Sequence, residues 1–186
     1  HGMTANIWYH VAVVRNGNTL SVYKNGTLLT SASVTGVTAD PMLTGVAISA
    51  AEPSGATSGN FKGSISNLRV VKGTAVYTSA FTPPTSPLTA VANTQLLTLQ
   101  YNGGGNNYNI IDNSTFNNVI TRNGNTRSGT FSPYGGLWSN CFNGSDAVLS
   151  LTAPSTTYSL GTADFTMEVW LNWTSTQSSH IFNCLI

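Results

Sequence analysis

The chain has 186 residues, of which 40% are hydrophobic and 10% aromatic but only 7% charged, and its net charge is +1. That length suits one sizeable core, while so little charge leaves no basic patch to grip a phosphate backbone or an anionic bilayer. No apolar run approaches the roughly 20 residues that span a membrane as a helix, so neither nucleic-acid binding nor membrane insertion is expected.

The opening HGMTANIWYH has neither the basic start nor the apolar stretch of a signal peptide. From Trp8 to Arg15 the side chains alternate, with Trp8, His10, Ala12 and Val14 on one face and Tyr9, Val11, Val13 and Arg15 on the other. This period predicts a strand. Asn16-Gly17-Asn18 and Asn25-Gly26 then supply turn residues around Leu20–Lys24, so two consecutive hairpins are predicted, the last strand starting at Thr27. TGVAIS and FKGSISNLRVVKG continue the pattern of short strands, separated by a Gly/Ser-rich loop.

Pro83, Pro84 and Pro87 exclude ladder pairing and predict an extended connection lying on the surface. The organisation read from this is 1–88, a linker at 89–92, and 93–186. The second stretch runs from TQLLTLQ through an Asn/Gly-rich segment to NCFNGSDAVLSL and DFTMEVWLNWT, with no helical period. Arg-Asn-Gly-Asn-Thr occurs at 15–19 and again at 122–126 with unrelated flanks, which reads as two separate turns. Cys141 and Cys184 sit in apolar surroundings and read as small buried hydrophobes, with a single bridge left open.

Four pieces of this sequence resemble the laminin-G-like, concanavalin A-like superfamily, in the tandem form of phage and bacterial surface proteins. FNGSDAVLSL resembles its Phe-Asx-Gly strand entry and LGTADFTMEVWLNWT its Asp-Phe-Thr strand. WYHVAVVRNGNTLSVYKNGTLL resembles its Trp-x-His-Val hairpin, and FKGSISNLRVVKGTAVYTSAFTPP its closing strand and tail. The resemblance implies an all-β, antiparallel jelly-roll β-sandwich with the family halves in permuted order. Residues 1–88 would be the back half and 93–186 the front half, together forming one composite sandwich.

Chemistry is sparse. A glucanase needs two carboxylates about 5 to 9 Å apart, yet Glu168 is the single acid of its strand and position 170 is Trp170. His1, His10 and His180 lie in no nucleophile motif, and His10 reads as a hydrogen-bonded structural histidine. Catalysis is not expected. No cofactor is expected either; were calcium bound, as the resemblance allows, the carboxylates on offer are Asp112, Asp146 and Asp164.

Sugar contact asks for aromatic faces beside polar loop groups, and Tyr108, Tyr134 and Trp138 in Gly/Asn-rich segments are the candidates. Trp8, Trp170 and Phe165 fall in strands and are assigned to the core. The reading that follows is a noncatalytic structural or adhesive module of a virion fibre or other large extracellular assembly, meeting other copies or components of that assembly and contacting host glycans. The alternative is a carbohydrate-binding accessory module of a secreted polysaccharide-active enzyme. Either places the chain at a virion surface or outside the cell.

Overall fold

The structure is a computed structural model that describes residues 2–39, 46–50, 59–100, 110–135, 139–152 and 157–174. Two of the sugar-contact candidates, Tyr108 and Trp138, lie outside this set, as do Cys184, His1 and His180. Eleven strands are described: β1 (Tyr9–Asn16), β2 (Thr19–Lys24), β3 (Thr27–Ser33), β4 (Val46–Ile48), β5 (Lys62–Lys72), β6 (Thr94–Thr98), β7 (Val119–Asn123), β8 (Arg127–Gly129), β9 (Ser139–Asn143), β10 (Val148–Thr152) and β11 (Phe165–Trp173).

The opening hairpins follow from their turns. Asn25 and Gly26 both take positive φ, 49° and 75°, the pattern of the two-residue turn whose twist matches that of the flanking strands. At the preceding turn Gly17 alone has positive φ, at 57°, which places glycine where a side chain would be strained. Both copies of Arg-Asn-Gly-Asn-Thr are turns, the first between β1 and β2 and the second between β7 and β8.

Two antiparallel sheets result. The larger runs β3-β2-β1-β11-β5-β9-β8, with β6 also pairing with β5, and the smaller runs β4-β10-β7. Strands from either side of residues 89–92 share the large sheet, for Val11 lies opposite Val169 and Val13 opposite Met167. On its other edge β11 pairs with β5.

The inner face of the large sheet carries Ile65, Leu68, Val70, Phe165, Met167, Val169 and Leu171, packed in one cluster with Ile48, Leu149 and Leu151 of the small sheet. Burying each of these side chains contributes about 1.5–3 kcal/mol, and that apolar layer is what holds the two sheets face to face. Phe165 is therefore core, but Trp8 and Trp170 are not. Trp170 lies opposite His10 and two residues from Glu168, so alternation sends it to the outer face, where it is half-buried.

The proline-rich connection forms no strand and lies as a strap across that outer face. Phe81 donates its backbone N–H to Gly26 O at 2.9 Å, and Val76 donates its own to Thr166 Oγ1 at 2.8 Å. Its aromatic residues close over Ala12, Val14 and Tyr23, with Tyr77 and Phe81 stacked at 3.6 Å. Cys141 is a free thiol, half-buried, and its Sγ lies 3.4 Å from Ser64 Oγ.

Candidate functional site: the outer face of the large sheet

Alternation aims His10 and Ala12 of β1, with Trp8 just before it, outward on one side and Glu168, Trp170 and Asn172 of β11 beside them. His10 and Trp170 are register partners, as are Ala12 and Glu168. One end of this face lies under the strap. There Glu168, fully buried, accepts from His10 Nε2 at 3.1 Å, from the Tyr77 hydroxyl at 2.8 Å and from Arg69 Nε at 2.8 Å, with Arg69 Nη2 donating as well. Arg69 Nη1 continues to Thr89 O at 2.7 Å, so the network is tied to the connection at two separate points.

Burial alone would push the Glu168 carboxyl up. The hydrogen bond from His10, the Arg69 guanidinium and the Tyr77 hydroxyl outweigh it and hold the carboxyl below its ordinary value. Tyr77 moves the other way, raised by burial and by the adjacent carboxylate. The network is an ionised acid with every approach occupied by protein donors, a structural arrangement that sequence reasoning foresaw for His10 and missed for Glu168.

The other end of the face is covered by Phe131 and Tyr134, which follow β8. Tyr134 stands edge-on to Trp170 with ring centroids 5.8 Å apart, and Phe131, 54% exposed, tilts against Trp8 at 5.4 Å. His10 bridges the two ends, its ring 5.3 Å from Trp170 and 5.6 Å from Phe81. Of the sugar-contact candidates, Tyr134 is thus placed in an aromatic group with Trp8, Trp170 and Phe131. Tyr108 and Trp138 lie outside the described residues. Trp8 and Trp170, assigned to the core by sequence reasoning, stand on this outer face; the parity of Trp8 with His10 and of Trp170 with Glu168 was the available signal.

This group has an unusual polar inventory. Trp8 Nε1, Trp170 Nε1, Asn172 Nδ2, Tyr134 Oη and His10 Nδ1 are all closed off from solvent without a hydrogen-bond partner. Native proteins leave few such atoms, and each lacks the compensation that burial normally requires. Burial, aided by the charge on Glu168, pushes the Tyr134 hydroxyl up to about 12. The Trp170 indole beside it opposes that rise.

The three aspartates do not form a cluster: among the described residues no group of three or more His, Cys, Asp or Glu side chains comes together. Asp112 is 2% exposed and binds its own loop, Oδ1 accepting from the backbone N–H of Leu97 and Ser114, and Oδ2 from Ser114 Oγ and from Asn118. Asp146 accepts from Asn143 Nδ2 across the turn after β9, and Asp164 accepts from Gly17 N at 2.6 Å. A cleft of about 500 Å³ beside Asp112 is lined by Ile110, Val119, Ile120 and Arg122 among others, and Tyr134 is not among the described residues that line it.

Residues 2–76 match the family model described as the concanavalin A-like lectin/glucanases superfamily. The matched stretch holds β1 to β5, and it supports the laminin-G-like resemblance carried by the Trp-x-His-Val hairpin. No curated protein and no solved structure matches the chain. Domains of that superfamily serve as carbohydrate-binding or structural modules, and its laminin-G-like members are generally non-catalytic.

Proposed function

We propose that this laminin-G-like β-sandwich is a noncatalytic structural and adhesive module of a large extracellular assembly, and that it meets glycans through the outer face around Tyr134, Trp170 and Trp8. The observation that carries the reading is the meeting of these aromatic rings with unpartnered polar atoms on one face. Sugar recognition combines apolar ring surface with a few placed polar groups, and this face supplies both. A virion fibre is the setting that the resemblance to tandem phage and bacterial surface proteins favours, with other copies or components of the assembly as neighbours.

Absence of catalysis belongs to the same reading. Retaining and inverting glycosidases need two carboxyl groups with room for a sugar between them. Glu168 commits both oxygens to His10, Arg69 and Tyr77 beneath the strap, which leaves it unable to act as acid, base or nucleophile without breaking the network. The test is a glycan array on the intact protein, paired with a reducing-sugar assay. Binding lost in the Tyr134→Ala, Trp170→Ala double variant, with no release of reducing ends, is the expected outcome. Polysaccharide turnover abolished by Glu168→Gln would overturn it, as would array binding indifferent to the double variant.

A further inference from the structure

We propose that Asn16 is a site of spontaneous covalent modification, where the side-chain amide closes on the nitrogen of Gly17 and ends as aspartate or isoaspartate, with Asp164 carrying the proton. Asn-Gly suits this reaction, because the attacking nitrogen belongs to a residue with no side chain to obstruct it and with a permissive backbone. Four such pairs lie among the described residues: Asn16-Gly17, Asn25-Gly26, Asn123-Gly124 and Asn143-Gly144.

In three of them the asparagine amide is already committed. Asn25 Oδ1 accepts from His10 N at 2.9 Å, and the carbonyl of Gly26 holds Phe81 N at 2.9 Å. Asn143 Oδ1 accepts from Ser145 N and Ala147 N, and its Nδ2 donates to Asp146. Asn123 Nδ2 donates to Ser150 Oγ at 2.9 Å, and a Cβ at Gly124 would fall on the Asp146 carbonyl, so that turn is packed from behind. Asn16 differs from all three. It is exposed at the end of β1, no hydrogen bond engages its side chain among the described residues, and a Cβ at Gly17 would meet nothing within 4 Å. Asn16 and Asn123 both sit in Arg-Asn-Gly-Asn-Thr, so their immediate chemical neighbours are identical and any difference in rate comes from the fold.

The fold also supplies a base at the first of these turns. Gly17 N donates to Asp164 Oδ1 at 2.6 Å, so a carboxylate rests on the proton that this nitrogen must lose as it attacks. Asp164 takes that proton while Gly17 N bonds to Asn16 Cγ, and returns it to the departing nitrogen as the Cγ–Nδ2 bond breaks and ammonia leaves. Water then opens the five-membered ring at either carbonyl, giving aspartate from one and isoaspartate from the other. Ammonia is exchanged for water, no electron is transferred, and Asp164 is regenerated. Either product sets a second carboxylate near Asp164, and isoaspartate also adds a methylene to the backbone where Asn16 pairs with Thr19, so the β1–β2 turn loosens as the protein ages.

The experiment ages the intact protein in mildly alkaline buffer, folded and in urea, and follows each asparagine by peptide mass spectrometry, with isoaspartate identified by fragmentation. In the folded chain Asn16 should convert about three- to tenfold faster than Asn123, the range for the one hydrogen bond that holds the second amide. Asn25 and Asn143 should be slower still, and in urea the two identical pentapeptides should react at equal rates. Asp164→Asn keeps an oxygen for the Gly17 N–H and removes the base. It should slow Asn16 about tenfold or more in the folded protein and leave the rate in urea unchanged, with thermal melting to show that the variant folds. Asn25, Asn123 or Asn143 converting as fast as Asn16 in the folded wild type would overturn the site, as would the folded order persisting in urea. Conversion of folded Asp164→Asn at the wild-type rate or faster would overturn the proton transfer.

Discussion

Glu168 draws on three other parts of the chain: His10 from β1, Arg69 from β5 and Tyr77 from the strap. A buried charge so placed is held by its partners, and removing one group of such a set typically costs about 3–5 kcal/mol. Its depressed pKa fixes the sign of a pH effect. The stabilisation is fully present above the ordinary value of 4.5 and is lost as the pH falls through the lower folded-state value. Urea midpoints followed downward from neutral pH should therefore drop below about 4.5 in the wild type and drop less steeply in Glu168→Gln. Parallel curves for the two proteins would contradict the assignment. Alternation placed Glu168 and Trp170 on one face in the sequence already, but the partner Tyr77 lies in a segment without any period, and only the folded chain brings it over.

The strap and the hairpin turn beneath it form the next level. Gly26 has φ +75°, and a Cβ there would fall on the Phe81 carbonyl, whereas a Cβ at Gly17, φ +57°, would meet nothing within 4 Å. Both substitutions to alanine carry the left-handed backbone cost of about 1–2 kcal/mol. Gly26→Ala must also push the strap away, so it should destabilise measurably more than Gly17→Ala in chemical denaturation and expose the Phe81 amide to hydrogen exchange. Equal losses for the two variants would mean that the strap is not seated on this turn. The strands themselves were legible, because Asn-Gly turns and period-two runs are local signals. Three prolines correctly removed the tail from any ladder, yet nothing local marked Tyr77 and Phe81 as the cover of a sheet face.

At the scale of the molecule, the last of the described strands stands in the middle of the large sheet, between β1 and β5. Sequence reasoning used the order of the family pieces to place Trp8–Val14 and Phe165–Trp173 in one sandwich, and it did not foresee that β1 and β11 lie side by side in one sheet. The site was less readable still. Both faces of β1 and β11 carry large residues, and the inward one is settled by the small sheet, whose Ile48, Leu149 and Leu151 pack against the aliphatic row and leave the tryptophans outside. Sequence reasoning therefore assigned Trp8 and Trp170 to the core and looked for sugar contact in loops alone. The structure joins the two, with Tyr134 of the loop against Trp170 of the strand.

Glycan contact on that outer face is most directly tested through the indole N–H resonances of the four tryptophans. They would be recorded by NMR before and after saturation with the best-bound glycan from the array. The Trp8 and Trp170 signals should shift, while that of Trp173, stacked on Tyr9 at 5.5 Å and packed against the inner core, should stay in place. An unchanged pair, or a shift confined to Trp173, would contradict the account.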